Sequence, residues 1–281
     1  MLFSIATATK NSLQALKKCV GSVRNQKGVS YEHIIKDALS NDGTAEWLSL
    51  QADLQWESSP DKGMYDAINT AWRKSKGEIL SMLNADEQYL PDTLQHIARI
   101  FEQRTDIDAV FGDYIICDEE TGKIIAARRE IPLRSIYLKN GHLYAMTCTL
   151  FFRRKLLENG LLKFSNNYKI VADLELVASL LRNNVKFLHV PKYLSIFGVS
   201  KNNLSLNANA REEIRKWKTQ NGHRVIIMQL FTKLMRISEK FANGCYRRTN
   251  VEYEFCTNEK GETKKIFVKK APIFWEWEGK H

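Results

Sequence analysis

The sequence predicts an α/β protein: a doubly wound, mostly parallel sheet with a small antiparallel portion and a C-terminal helical and hairpin extension. Two observations predict it. Short β-prone apolar runs alternate with segments whose apolar residues recur three and four apart. Each run also ends, on its carboxyl side, in polar or acidic residues, where sheets of this kind bind ligands.

Leu2 to Ala8 is the first apolar, β-prone run. Ser12 offers a cap to a helix carrying Leu13, Leu16, Cys19, Val20 and Val23. Tyr31 to Ile35 predicts a second strand ending at Asp37, and the turn Asn41-Asp42-Gly43-Thr44 leads into a short helix around Trp47. Leu54 to Glu57 predicts a third strand; the loop 58–63 and a helix bearing Tyr65, Ala67, Ile68 and Trp72 follow. Ile79 to Leu83 predicts a fourth strand, stopping at Asn84-Ala85-Asp86-Glu87, and Pro91 opens a helix with Leu94, Ile97, Ile100 and Phe101 inward. Ala109–Cys117 and Lys123–Arg128 predict a hairpin turned by Glu120-Thr121-Gly122. Tyr144 to Arg153 reads as a strand and Ile170 to Leu181 as a helix, with Glu175 expected to face solvent. Two short strands, Val185–Val190 and Tyr193–Phe197, are split by Pro191. One long helical stretch is expected from Ser200 to about Phe241, then a hairpin of Val251–Cys256 and Lys264–Val268. The expected division is 1–206 and 207–281, with a boundary near Asn207.

At 281 residues, 44% hydrophobic and 26% charged, the chain has enough apolar content for a large core, which excludes wholesale disorder. It holds no apolar run of about 18 residues, so no spanning helix is expected. Lys17 and Lys18 lie behind the first apolar stretch, the reverse of a signal peptide. Five scattered cysteines without a CxxC pair argue against a disulfide framework or zinc knuckle. The expected location is cytoplasmic, with peripheral contact at the inner membrane face. The formal charge is +10, and from Arg211 onward 16 Lys and Arg stand against 9 Asp and Glu. Such a surplus suits an anionic membrane or a phosphorylated ligand; nucleic acid is not an expected partner.

Several common sites are missing from the sequence. There is no GxGxxG after the first strand, no GxxxxGK[ST], no GxSxG, and no histidine at metal-ligand spacing from another ligand. Acidic strand ends remain. An oxygen-rich loop such as Asn84-Ala85-Asp86 suits a hard divalent cation, which takes one or two carboxylates plus substrate phosphates. Taken singly, turn formation explains this loop as well, and turn or capping roles equally explain Asp37, Asp42 and Asp61. Asp173 near a helix start is likewise explained by the macrodipole.

In order, however, Phe3-Ser4-Ile5-Ala6-Thr7-Ala8, Asp42-Gly43-Thr44, the DxGxYDAxN stretch from Asp61 to Asn69, and Gly77 to Pro91 with its NADExY closely resemble the family-two glycosyltransferases of GT-A fold, of the bacterial surface-polysaccharide type. The resemblance continues through Thr149–Arg154, Ala172-Asp173 and Val190-Pro191, and covers roughly the first 200 residues. It implies that Thr7, Asp37, Asp61, Asn84 and Asp86 bind the nucleotide sugar, that Asp86 ligates Mn²⁺ or Mg²⁺, and that Asp173 is the catalytic base. Two departures stand out: Asp86-Glu87 where the family carries paired aspartates, and Thr147-Cys148 where many relatives carry His-Gln.

The resemblance further implies an inverting, metal-dependent transfer of a sugar from a nucleoside-diphosphate sugar, with UDP favoured, to a hydroxyl of a saccharide or lipid-linked acceptor in cell-surface polysaccharide synthesis. The alternative from another class is an inactive GT-A module that binds a sugar nucleotide or glycan. Release of nucleoside diphosphate from donor in the presence of Mn²⁺ separates the two. A sugar nucleotidyltransferase is disfavoured, because Ala8-Thr9-Lys10-Asn11 stands where those enzymes carry a Gly-rich, Arg-bearing loop.

Overall fold

A computed structural model describes residues 1–200, 209–223 and 225–274. In chain order the elements are β1 (Leu2–Thr9), α1 (Leu13–Arg24), β2 (Ser30–Asp37), α2 (Thr44–Ser49), β3 (Leu54–Ser58), α3 (Met64–Lys74), β4 (Ile79–Met82), β5 (Glu87–Tyr89), α4 (Thr93–Gln103), β6 (Ala109–Asp118) and β7 (Ile124–Arg128). Then follow α5 (Ser135–Leu138), β8 (Phe151–Arg153), α6 (Lys155–Glu158), α7 (Ala172–Arg182), β9 (Phe187–Val199), α8 (Asn209–Asn221), α9 (Ile226–Ala242), β10 (Val251–Cys256) and β11 (Thr263–Val268).

The strands run in the order β3-β2-β1-β4-β8-β6-β9-β5, with β7 paired to β6. β3, β2, β1 and β4 are mutually parallel, as helical crossovers require. β8 enters antiparallel between β4 and β6, β6 and β9 are parallel, and β5 and β7 lie antiparallel at the periphery. Successive side chains point to opposite faces. Ala6, Leu80 and Met82 therefore join Ile68 and Trp72 of α3 on one side. Phe3, Ile5, Ile79 and Leu83 meet Cys19 and Val23 of α1 and Leu94, Ile97 and Phe101 of α4 on the other. Burial on both faces brings β1 and β4 through the centre and delivers their carboxyl ends to one edge. This is the α/β arrangement expected, with the separate small antiparallel sheet of β10 and β11.

The β10–β11 hairpin lies against the sheet rather than trailing away from it. Val251, Tyr253 and Phe255 pack on Leu90, Ile115, Cys117 and Ile196. The Gln88 side chain donates to the Cys256 carbonyl at 3.1 Å and accepts from its amide at 2.8 Å. Gly21 of α1 makes room for the hairpin turn: a Cβ there would fall 2.0 Å from the Asn258 carbonyl oxygen.

Four expectations need correction. The strand expected over Tyr144–Arg153 is confined to Phe151–Arg153, because Thr147–Thr149 forms a 3-10 turn whose Thr149 amide and hydroxyl both bond back to the Met146 carbonyl. The two strands around Pro191 are one, β9; the register with β6 shifts on either side of Asp113, and the ladder steps past the residue that has no N–H to give. The long helix after Ser200 is two helices, broken at Gly222, where a Cβ would meet the Lys218 carbonyl oxygen at 2.5 Å. Glu87, expected in the loop that stops the fourth strand, instead opens a short strand, Glu87–Tyr89, paired with β9. The boundary near Asn207 lies outside the described residues.

Candidate active site

The carboxyl ends of β1, β2, β3 and β4 share one edge of the sheet, and the residues expected there are tied into it by hydrogen bonds. Thr7 is fully buried in β1. Its hydroxyl donates to the Leu83 carbonyl at 2.6 Å and lies 2.8 Å from His33 Nε2. Since the hydroxyl proton goes to Leu83, His33 is the donor in this pair. Burial pushes the imidazole down to about 3, so it stays neutral. Thr7 thus fixes the distance between β1 and the start of the Asn84 loop.

Asp37 is also fully buried. Its carboxylate accepts from the Ser40 amide at 3.1 Å and from the Ser40 and Ser58 hydroxyls, both at 2.5 Å. The Lys36 ammonium caps the same corner by donating to the Asp37 and Ser59 carbonyls. Asp37 therefore joins the loops after β2 and β3. Asp42 does the same for two helices, accepting from the Leu13 amide at the start of α1 and from the Thr44 amide and hydroxyl at the start of α2. Ser12, the expected cap of α1, turns its hydroxyl to the Lys10 carbonyl instead.

The DxGxYDAxN stretch is the frame of the site. Half-buried Asp61 accepts from the Gly63 amide at 2.9 Å, and Gly63 takes φ +117°, a left-handed conformation open to glycine. Asp66 accepts from the Lys62 amide. Asn69 clasps Phe164 through both backbone groups, donating to its carbonyl and accepting from its amide, each at 2.9 Å. This holds the segment leading to α7 against α3.

At the end of β4 the chain closes a tight loop. The Glu87 amide donates to the Asn84 carbonyl at 3.0 Å, and the Asn84 amide donates to Glu87 Oε2 at 2.7 Å. Asn84 Oδ1 and Glu87 Oε1 are buried with no hydrogen-bond partner. Half-buried Asp86 sits between them in sequence. Burial raises the Asp86 carboxyl, and the charge of Glu119 adds to it; Glu87 is raised by burial and then by Asp86. Bare backbone at Gly198 of β9 lets this loop approach, since a Cβ there would lie 2.1 Å from the Asp86 carbonyl oxygen.

Asp173 is half-buried in the first turn of α7, where Oδ1 accepts from the Leu174 amide at 2.8 Å. Desolvation raises its carboxyl to about 6, against the lowering effect of that amide and of the Tyr65 hydroxyl. The Tyr65 phenol, donating to the Ile170 carbonyl at 3.3 Å, is itself pushed well up by burial, then by the charges of Asp173 and, more weakly, Glu87. Tyr65 of α3 thus ties that helix to the segment that opens α7. Sequence reasoning placed Tyr65 on the helix after the third strand and within the DxGxYDAxN stretch but gave it no role of its own, and it did not single out Glu119, which has no local signal. Glu175 corrects the expectation of a solvent-facing residue: it accepts from Trp217 Nε1 at 2.6 Å and pairs with Arg182 at 2.6 Å.

Among the described residues no three His, Cys, Asp or Glu side chains gather into a metal-holding group. The donor set fits a cation held by few protein ligands. Asp86 is a hard carboxylate in a site that disfavours an uncompensated charge, flanked by two buried oxygens with no partner.

A family model described as glycosyl transferase family 2 matches residues 4–161. The chain is 31% identical over 121 residues to a PGL/p-HBAD biosynthesis glycosyltransferase of Mycobacterium bovis, covering 41% of this chain and 47% of that protein. It is 28% identical over 174 residues to an uncharacterized glycosyltransferase of Nostoc sp., covering 56% and 52%. The chain thus spans about half the length of the curated relatives it matches. Among solved structures it is similar in fold to TarS of S. aureus, with a TM-score of 0.59 at 18% identity over 87% of this chain and 45% of that one. It is also similar to TarS residues 1–349 in complex with UDP-GlcNAc, with a TM-score of 0.56 at 17% identity over 87% and 75%. A mannosyltransferase of Pyrobaculum calidifontis in complex with GDP-Man and Mn²⁺ gives a TM-score of 0.54 at 16% identity over 86% and 75%.

Proposed function

The chain belongs to glycosyl transferase family 2, and from that premise we propose that it moves a sugar from a nucleoside-diphosphate sugar, with UDP favoured, to a hydroxyl of a saccharide or lipid-linked acceptor. The transfer inverts the anomeric centre and serves cell-surface polysaccharide synthesis, in the cytoplasm and at the inner membrane face. The observation that supports this reading is the Tyr65 hydroxyl of α3 donating to the Ile170 carbonyl at 3.3 Å, which ties the helix of the DxGxYDAxN stretch to the segment that opens α7 and carries Asp173. In this reading the Asn84–Glu87 loop offers oxygens to a cation and Asp173 accepts a proton. Structural neighbours in complex with UDP-GlcNAc and with GDP-Man and Mn²⁺ support a nucleotide sugar as donor.

In this reading Asp86, with Asn84 beside it, holds a divalent cation that neutralises charge on the departing diphosphate when bound. Asp61 and Asp37 shape the loops around the nucleoside, Asp61 from the mouth of α3 and Asp37 from inside the β2–β3 corner; Thr7 sets the floor. Asp173 takes the proton of the acceptor hydroxyl as it attacks the anomeric carbon from the face opposite the leaving group. A carboxyl raised to about 6 is still mostly ionised at neutral pH, yet is a stronger base than an exposed aspartate.

The experiment is a panel of sugar nucleotides screened with Mn²⁺, first for thermal stabilisation, then for release of nucleoside diphosphate with and without acceptor. Binding of a donor without turnover, across a panel of saccharide and lipid-linked acceptors, would favour the inactive binding module instead.

A further inference from the structure

We propose that the outward face of α9 docks on an anionic lipid bilayer. The face lies in the interfacial region, and the basic groove between α8 and α9 receives headgroup phosphates. This deepens the peripheral-contact part of the functional reading and rests on it there, but not on sugar transfer.

A surface helix ordinarily turns its apolar stripe toward the core. In α9 the arrangement is inverted. Its buried side chains are Thr232 and Lys240, while Ile227 is 74% exposed, Leu230 57%, Phe231 54%, Leu234 63% and Phe241 76%. The polar side determines this orientation. Lys240 Nζ lies 2.6 Å from buried Glu130, Glu239 pairs with Arg134 at 2.7 Å and accepts from the Tyr137 hydroxyl at 2.6 Å, and Thr232 accepts from Asn140 at 2.9 Å. Rotating the stripe inward would break all of these at once and strand a buried carboxylate. The apolar side is therefore held outward, as a continuous patch that water alone covers poorly.

The occupant follows from length and charge. At about 1.5 Å per residue the 17 residues of α9 reach roughly 25 Å, and no helix among the described residues is long and apolar enough to cross a membrane. Such a helix lies on a bilayer rather than through it. Exposed Lys233 flanks the stripe, and Arg247 and Arg248 stand exposed just past its end. At the other end Arg211, Arg215, Lys218 and His223 line an open groove of about 740 Å³ beside Gln229 of α9. Apolar stripe and cations together match a surface of acyl chains under anionic headgroups. A second copy of the chain would instead bring cations against cations, with +10 on each copy.

The test is co-sedimentation of the whole chain with phosphatidylcholine vesicles, with and without phosphatidylglycerol, at low and high salt. The readout is independent of donor, acceptor and turnover, so it stands or falls separately from glycosyl transfer. Binding to the anionic vesicles should be at least about tenfold tighter than to neutral ones and weaken at high salt. Leu230→Gln with Leu234→Gln should lower it about tenfold or more; since both residues are exposed, the melting temperature should hold. Arg211→Gln with Arg215→Gln should remove most of the preference for the anionic lipid. The proposal is overturned if the protein does not pellet with anionic vesicles, or if the leucine variant pellets like wild type. It is overturned equally if light scattering shows a wild-type dimer that the leucine variant dissolves, which would make a second copy the occupant.

Discussion

Replacing Asp173 by Asn should move activity and stability in opposite directions. The wild-type carboxyl is raised by desolvation from 3.8 to about 6. At about 1.4 kcal/mol per pH unit, its ionised form is up to about 3 kcal/mol less favourable in the folded protein than in the unfolded chain. Because the folded pKa is the higher one, the unfolded chain gives up the proton first as pH rises. Stability therefore falls between about pH 4 and pH 6 on this account and is level above. Asparagine keeps the shape and can still accept from the Leu174 amide through its oxygen, but carries no charge to desolvate. Asp173→Asn should thus be more stable than wild type by up to about 3 kcal/mol at pH 7.5, with the advantage gone near pH 4. Over the same range kcat should fall about 10²-fold or more with donor affinity nearly unchanged. Urea unfolding at both pH values and nucleoside-diphosphate release under saturating donor measure the two effects. A variant that keeps more than about a tenth of kcat, with chemistry rate-limiting, removes Asp173 as the base. A variant no more stable than wild type at pH 7.5 removes the desolvation argument.

Three further outcomes follow from the same geometry. Asp86→Ala should abolish Mn²⁺-dependent donor binding in calorimetry while the apo protein unfolds at no lower denaturant concentration, since the lost carboxyl is one that burial disfavours; unchanged binding would move the cation elsewhere. Asp37→Ala should strip the acceptor from Ser40 and Ser58 and lower stability by about 1–3 kcal/mol together with a raised donor KM, whereas Asp61→Ala, which loses one amide bond at a loop, should mainly raise KM; an unchanged KM in both reduces the pair to loop supports. Lys240→Met should destabilise by roughly 3–5 kcal/mol, because Glu130 is left buried without its closest cation; a loss under about 1 kcal/mol would mean that Arg128, 3.7 Å from Glu130, carries that charge alone.

The parallel half of the sheet was legible because period and punctuation agree there: β1 and β4 alternate sides, and their helices repeat at three and four. The loop at the end of β4 was legible as a turn from its residues alone, and only the resemblance gave it a chemical role. Asp173 was not, except by resemblance; an aspartate in a first helical turn has an adequate capping account, and only the burial around it shows why its proton affinity rises. Glu119 escaped because its importance lies in which distant carboxylate it faces. Periodicity detected the stripe on α9 but assigned it no direction. Three polar contacts on the opposite side decide its rotation. Lys240 belongs to the inward side.

The double hydrogen bond between Gln88 and Cys256 spans 168 positions of chain. β5, the strand that directly follows the Asn84–Glu87 loop, is therefore finished by residues synthesised long after it. Until β10 arrives, Leu90, Ile115 and Ile196 have no cover on that side, and the short strand carrying Gln88 presents an open flank. During synthesis the parallel core can form from the first part of the chain, but the Asn84–Glu87 loop gains its last support only when β10 has left the ribosome. A growing chain would thus acquire its parallel core first, with the Asn84–Glu87 loop settling in a late, long-range closure step.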